Sequence, residues 1–216
     1  EMTSSLVGSE MCIRDSFEKN ESLKGLDYLD TIYHAIVNEH PIQLKYRSFK
    51  ARSANSFIFY PYLLKEYRNR WFVYGVRGNG RILQNLALDR IQSLEVLPQE
   101  HYIKNTFFDP NTFFDDLVGV TKNTGSVAEK VGFKVAAAEA PYIITKPIHR
   151  SQQVVERLAD GSVILEIEVV INHELERVFF GYAEGIQVLY PKTLVELMGR
   201  KLKKAAEQYT LSLIHI

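Results

Sequence analysis

From Leu26 to Glu39 apolar residues return every three or four positions, at Leu26, Leu29, Ile32, Tyr33, Ile36 and Val37. That spacing puts them on one face of a helix. Pro41 ends it, because the residue before a proline is driven out of the helical region. At Ile42 the period falls to two. Ile42, Leu44 and Tyr46 alternate with Gln43, Lys45 and Arg47, as in a half-buried strand. Phe57–Leu64, Arg70–Arg77, Ile82–Leu88 and Ile91–Leu97 read as four more short strands. Between two of them, Arg77-Gly78-Asn79-Gly80-Arg81 is a tight-hairpin signal, since Asn-Gly accepts positive φ angles. Five short strands at this spacing predict a small, strongly curved barrel over 42–100.

His101–Gly125 has neither period. Asp109-Pro110 predicts a short helix start, flanked by Phe107-Phe108 and Phe113-Phe114, within a connecting arm over 101–127. Asn123-Thr124-Gly125-Ser126 reads as a linker. Beyond it the pattern is regular again. Val131–Ala137 is strand-like, Glu139–Thr145 helical, and Gln152–Leu158 and Ser162–Ile171 form a hairpin across Ala159-Asp160-Gly161. Glu174–Ala183 is helical and Ile186–Leu189 strand-like. Thr193, with Glu196 three residues on, predicts a capping box for a last helix with Leu194, Leu197, Met198, Leu202, Ala205 and Tyr209 as its apolar stripe. Strand, helix, strand, strand, helix, strand is the ferredoxin-like order. The expected fold class is therefore α+β: a helix over 17–41, a small, strongly curved barrel, and a ferredoxin-like domain over 128–210.

The two ends follow a different logic. Leu211–Ile216 (LSLIHI) is encoded by CTG TCT CTT ATA CAC ATC, and the reverse complement of that DNA encodes Met11–Ser16 (MCIRDS). The shared DNA resembles the transposon end used to fragment sequencing libraries. Residues 1–16 and 211–216 are accordingly expected to be adapter-derived and to be set aside before fold reasoning. The rest is expected to be a piece of a longer protein.

Composition then narrows the function. The single cysteine, Cys12, lies in the adapter-like end, which leaves no disulfide or thiolate metal site. No apolar run approaches the roughly 20 residues of a membrane span, and a cytoplasmic location is expected. Between Ile42 and Arg90 stand ten basic residues, Lys45, Arg47, Lys50, Arg52, Lys65, Arg68, Arg70, Arg77, Arg81 and Arg90. Only Glu66 and Asp89 oppose them, a net charge of +8 in a chain whose total is +0. A basic module in a neutral chain points to an anionic partner, although a solvated sheet surface would read the same way. Enzyme signals are poor. Asp115 and Asp116 are adjacent and would point apart on a helix. His34, His40, His101, His149 and His173 make no metal-ligand spacing. There is no nucleophile elbow or phosphate loop, and neither metal nor cofactor is expected.

The Arg70–Val76 run (RWFVYGV), the Leu86–Ile91 run (LALDRI), Tyr46-Arg47-Ser48, and Tyr60-Pro61-Tyr62 before Leu63-Leu64 occur in a set order. Together they resemble the WYL domain of bacterial transcriptional regulators. The naming triplet stands here as Trp71-Phe72-Val73. The FFDPNTFFDDLVGVT segment looks like the version found in Bacteroidetes-type members, and Val131–Tyr209 is similar to the C-terminal extension domain that follows WYL. The resemblance implies an Sm-like barrel that senses an effector, in some members single-stranded DNA. It also implies a helix-turn-helix upstream that binds duplex DNA. Many members carry an arginine where this chain has Ala87, which weakens a multi-arginine phosphate site, though Arg90 remains.

On these grounds the expected ligand contacts are Tyr46, Arg47, Ser48, Tyr60, Arg70, Trp71, Tyr74 and Arg90. Guanidinium groups would meet phosphate and flat rings would stack on bases. Alternation places Trp71, Val73, Gly75 and Arg77 on one face of their strand and Arg70, Phe72, Tyr74 and Val76 on the other. Both faces carry an aromatic and an arginine, so either can be the core. Trp71 reads equally as a core indole or a platform, Tyr46 better as core, and Arg90 can pair with Asp89 instead of phosphate. The leading expectation is the effector-sensing part of a homodimeric DNA-binding transcriptional regulator, with a single-stranded nucleic acid or nucleotide-like effector. The alternatives are a stand-alone nucleic-acid- or nucleotide-binding module and a dimerisation scaffold.

Overall fold

Alternation and helical spacing are converted into two antiparallel sheets, each with its own apolar core, in a computed structural model that describes residues 24–78, 80 and 82–212. Asn79 and Arg81 of the expected hairpin, and the end segments 1–16 and 213–216, lie outside the described residues. The first sheet comprises β1 (Ile42–Tyr46), β2 (Asn55–Tyr67), β3 (Arg70–Arg77), β4 (Gln84–Ala87) and β5 (Ile91–Val96), in the order β4-β3-β2-β1-β5. A 3-10 turn, Leu26–Tyr28, leads into α1 (Leu29–Val37), which lies against one face of it. Ile32 and Ala35 of α1 are buried with Ile42, Leu44, Phe59, Val73, Leu86, Leu88 and Ile91 in one cluster.

The sheet bends where its sequence breaks the ladder. Pro61 has no N–H to donate, and the β2–β3 register shifts between Pro61 and Leu63. Gly75 sits opposite. A Cβ there would lie 2.1 Å from the Tyr60 carbonyl oxygen, so only glycine lets the strands approach. Closure of the sheet, expected from strand number, is not completed by the described pairings. β5 pairs with β1, and the 3-10 turn Leu88–Arg90 stands between it and β4.

The arm after β5 corrects a second expectation. Pro110–Asp116 makes successive turns, not a helix. Phe113 N–H does reach the Asp109 carbonyl, but the following bonds are of the tighter turn type, Asp115 to Thr112 and Leu117 to Phe114. A helical nucleus without propagation is unfavourable, and here Phe113 and Phe114 are both drawn to Tyr74, at ring-centroid distances of 5.8 and 5.3 Å. Further on, Leu117, Val118 and Val120 are buried although they belong to no helix or strand.

The second sheet comprises β6 (Glu129–Val135), β7 (Gln153–Arg157), β8 (Val163–Val169) and β9 (Ile186–Tyr190), in the antiparallel order β7-β8-β6-β9. α2 (Ala140–Thr145) connects β6 to β7, and α3 (His173–Gly181) connects β8 to β9. Val163, Leu165, Ile167 and Val169 of β8 alternate inward to meet Phe133, Ile143, Leu175, Phe179 and Leu194. α4 (Lys192–Ser212) starts earlier than the expected Thr193 cap. Val195 N–H bonds to the Pro191 carbonyl, which places Thr193 inside the first turn. Leu194 and Met198 reach the core, whereas Leu202 and Tyr209 further along the stripe are exposed. Among the described residues no helix is long and apolar enough to cross a membrane.

A basic cleft at the junction of the two sheets

The β2–β3 hairpin turns through Arg68 and Asn69, both with positive φ, 50° and 60°. Two such residues in succession match the handed twist of a two-residue hairpin, but a positive φ is uncommon for arginine. The Asn69 N–H donates to the Glu66 carboxylate and fixes the turn. Arg68 and Arg70 thereby stand at the edge of a cleft of about 860 Å³. Its lining comes from the first sheet, from the arm at Val120 and Thr121, and from the first turns of α3.

Asp89, in the turn after β4, organises the arginines. Its Oδ2 lies 3.2 Å from Arg70 Nε, and its Oδ1 lies 3.9 Å from Arg90 Nε. That longer approach is not a hydrogen bond, and Arg90 Nε and Asp89 Oδ1 are buried without a hydrogen-bond partner among the described residues. The Arg90 guanidinium carbon lies 4.4 Å from the ring centre of Phe49, which is 74% exposed in the β1–β2 loop. The cleft thus presents guanidinium groups beside a flat, solvent-facing ring.

From the opposite side, α3 closes the cleft. Asn172 caps it by accepting from Leu175 N–H, and its side-chain amide donates to the carbonyls of Val118 and Thr121, at 2.9 and 3.0 Å. His173 and Arg177, one turn apart, are exposed along the cleft. Glu174 between them is buried. Its Oε1 accepts from Thr121 Oγ1 at 2.7 Å and lies 3.4 Å from His173 Nε2. Its Oε2 has no partner among the described residues. Gly119 makes this fit possible: its φ is +92°, and a Cβ there would fall 2.5 Å from Glu174 Cγ.

The residues expected at the site divide into three groups. Arg70 and Arg90 line the cleft. Tyr46, Arg47 and Ser48 do not line it and come just before Phe49 in the chain. Burial raises the Tyr46 hydroxyl pKa, with the nearby Arg90 charge pulling the other way. The Arg47 N–H donates to the Arg90 carbonyl at 3.1 Å, and the Ser48 hydroxyl accepts from Lys50 N–H at 3.4 Å. Tyr60, Trp71 and Tyr74 do not line it. Tyr60 is buried against Tyr102, ring centres 6.0 Å apart. Trp71 packs with the core under α1, beside Leu29, Tyr33 and Leu64. The Tyr74 hydroxyl donates to the Val120 carbonyl, which also accepts from Asn85 at 2.8 Å. Phe49, Arg68, Phe72, His173, Glu174 and Arg177 also line the cleft and stand outside the expected set. Phe49 did carry a signal, an aromatic flanked by Ser48 and Lys50 in a polar loop. No signal in the sequence brings Glu174 and Arg177 to a sheet some hundred residues earlier in the chain. Among the described residues no group of three or more His, Cys, Asp or Glu is placed to hold a metal ion.

Two α+β units sharing a basic cleft at their junction define the class of protein. The family follows from the comparisons. Residues 27–96 match the WYL domain and residues 128–206 match the WCX domain. The chain belongs to the WYL-domain proteins that carry a WCX domain after it. No curated protein matches it. Sixteen chains among the solved structures do. One is a CRISPR Cas-related protein, 13% identical with a TM-score of 0.50, the match covering 87% of this chain and 53% of that one. Another is proteasome accessory factor B/C (PafBC) of Arthrobacter aurescens, 16% identical with a TM-score of 0.34, covering 86% of this chain and 27% of that one. At 13% identity the likeness to the CRISPR Cas-related protein concerns the fold alone. The chain spans about half or less of the length of each.

Proposed function

We propose that this chain is the effector-sensing part of a DNA-binding transcriptional regulator, and that the cleft between the sheets is its effector site. The observation that carries this reading is the convergence of Arg68, Arg70, Arg90 and Arg177 with the exposed ring of Phe49 on one cleft. Guanidinium groups stay protonated at any physiological pH, so the site is permanently cationic. Phosphate beside a base is the ligand chemistry that uses both features. The effector class is therefore a single-stranded nucleic acid or a nucleotide. The pairing of a WYL with a WCX domain supports the regulatory setting.

The finer architecture belongs to the same proposal. The order β4-β3-β2-β1-β5 with a bent β2 supports an Sm-like barrel, and β7-β8-β6-β9 with α2 and α3 as connections supports a ferredoxin-like domain. The domain bounds are 42–100 for the barrel, 101–127 for the arm and 128–210 for the extension. Duplex DNA would be contacted by a helix-turn-helix preceding Phe17, in a cytoplasmic homodimer. The cleft binds its ligand and does not transform it.

The test is fluorescence anisotropy with a labelled single-stranded oligodeoxynucleotide at several salt concentrations. Wild type binds at low salt. Arg90→Ala weakens binding about tenfold and flattens the salt dependence, because one fewer phosphate contact releases fewer counterions. Absence of binding by folded wild type at low salt overturns the proposal.

A further inference from the structure

We infer that Glu174 makes the cleft selective for a guanine base; the inference rests on the reading of the cleft as a site for a nucleic-acid-like ligand. A carboxylate is out of place in a pocket that serves phosphate alone. It repels the ligand and cancels part of the arginine field. Yet Glu174 lies in the cleft wall, 5% exposed, among Arg68, Arg70, Arg90 and Arg177. Its structural duty accounts for one oxygen only. Oε1 accepts from Thr121 Oγ1 and faces His173 Nε2. Oε2 is shut off from bulk water and accepts from nothing among the described residues. An ionised carboxylate is an acceptor at both oxygens, and a buried acceptor left unpaired is costly. Such a group is completed by a ligand that brings N–H donors.

The nucleobases differ sharply in what they can bring. Guanine presents two adjacent donors on one edge, the ring N1–H and the 2-amino group, spaced to meet the two oxygens of one carboxylate. Adenine and cytosine each present an amino group beside an unprotonated ring nitrogen, whose lone pair would oppose the carboxylate. Thymine and uracil present one ring N–H between two carbonyls. A guanine edge is therefore the base edge that satisfies Glu174 without a clash of lone pairs. His173 is half exposed, so a base that displaces its ring from Glu174 gains access to the carboxylate. The arginines at the other walls then take the phosphates, and a volume of about 860 Å³ admits a nucleotide.

The experiment measures binding of the full chain to labelled pentanucleotides of thymine with one central guanine, hypoxanthine, adenine or cytosine. Hypoxanthine is guanine without the 2-amino group. Wild type should bind the guanine probe about tenfold more tightly than the other three, hypoxanthine included, the scale of one lost hydrogen bond to a charged group. In Glu174→Gln the amide keeps one acceptor oxygen for Thr121, but its other end is an NH2 donor, so it cannot present two acceptor oxygens to the two donors of the guanine edge. The preference should fall to within about twofold, while loss of the negative charge tightens binding of all the probes, the adenine probe included. The hypoxanthine comparison needs no mutant and tests the two-donor contact even if Glu174→Gln folds poorly; equal binding of guanine and hypoxanthine overturns that contact. Equal binding of all four probes by wild type overturns guanine selection and leaves the nucleic-acid reading intact. A guanine preference that persists in folded Glu174→Gln overturns the role of Glu174. No binding of any probe at low salt removes both readings.

Discussion

Arg70 Nε lies 3.2 Å from Asp89 Oδ2, and this contact joins the edge of the β2–β3 hairpin to the turn that carries Arg90. One carboxylate thus faces two arginines of the cleft. Its negative charge orders them and also competes with any anion that approaches. At 3.9 Å from Arg90 without a hydrogen bond, it restrains that side chain weakly. Asp89→Asn should free both guanidinium groups, tighten binding of single-stranded oligonucleotide about three- to tenfold at low salt, and steepen the salt dependence. Anisotropy titrations at several salt concentrations check this. Weaker binding would show that Asp89 matters more for aiming the arginines than for restraining them.

Phe49, and not Trp71, supplies the solvent-facing ring of the cleft. Stacking on an aromatic ring contributes about 1–3 kcal/mol per base, so Phe49→Ala should weaken oligonucleotide binding by roughly five- to a hundredfold. Stability should hardly change, because the ring is 74% exposed. Trp71→Ala should do the reverse. It removes a half-buried indole from the core under α1, at a cost of about 1–3 kcal/mol, somewhat below that of a fully buried large aromatic, while folded protein keeps its affinity. Denaturant unfolding and binding titrations, run on both variants, separate the two effects.

Arg68 is held at φ 50°. A left-handed conformation costs a residue with a Cβ about 1–2 kcal/mol, and glycine relieves that strain at some expense in unfolded-state entropy. Arg68→Gly should therefore be as stable as wild type or more stable, by up to about 1 kcal/mol, and should bind oligonucleotide less tightly. A variant that loses stability would mean that the contact of Arg68 with the Tyr67 ring, 5.5 Å from its centre, outweighs the strain.

The aromatic cluster between β2 and the arm sets an alkaline limit. Burial, with Tyr60 adding to it, pushes the Tyr62 hydroxyl up to about 12. Burial likewise raises Tyr74 and Tyr102, whose hydroxyls donate to the carbonyls of Val120 and Pro61. In the unfolded chain a tyrosine ionises near 10. Above that pH the unfolded state has lost protons that the native state keeps, so stability falls as pH rises. The contribution is fully present below about pH 10 and declines through the folded value of Tyr62. Unfolding monitored between neutral pH and pH 12 should show this decline, with tyrosinate absorbance rising together with unfolding. Tyr102→Phe should reduce the slope. A flat profile across that range would contradict the burial argument.

Much of the architecture was legible along the chain because its causes are local. The period of two in Ile42–Tyr46, the helical recurrence from Leu26, and the βαββαβ order after Val131 are short-range patterns, and each appears as an element close to its expected bounds. The break at Pro61 is equally local in origin, whereas the need for glycine at position 75 comes from the neighbouring strand at Tyr60. The helix expected near Asp109 failed because Phe113 and Phe114 gain more from Tyr74 than from continuing a single turn, and Tyr74 is remote in sequence.

The two faces of β3 mark the boundary between what the sequence determined and what only the tertiary structure decided. Each face carries an aromatic and an arginine, so alternation alone left them equivalent. Packing resolved the tie. α1 covers the side of Trp71 and Val73 and makes it core. The other side meets two different neighbours: Val120 of the arm takes Tyr74, while Arg70 and Phe72 are left on a cleft shared with α3. Glu174 entered that cleft for the same reason. Its place depends on Asn172 gripping the carbonyls of Val118 and Thr121, and on Gly119 leaving room for its side chain. Periodicity records which residues of one element share a face. Which neighbour covers that face depends on contacts between segments far apart in the chain, and a single sequence does not encode those as a local pattern.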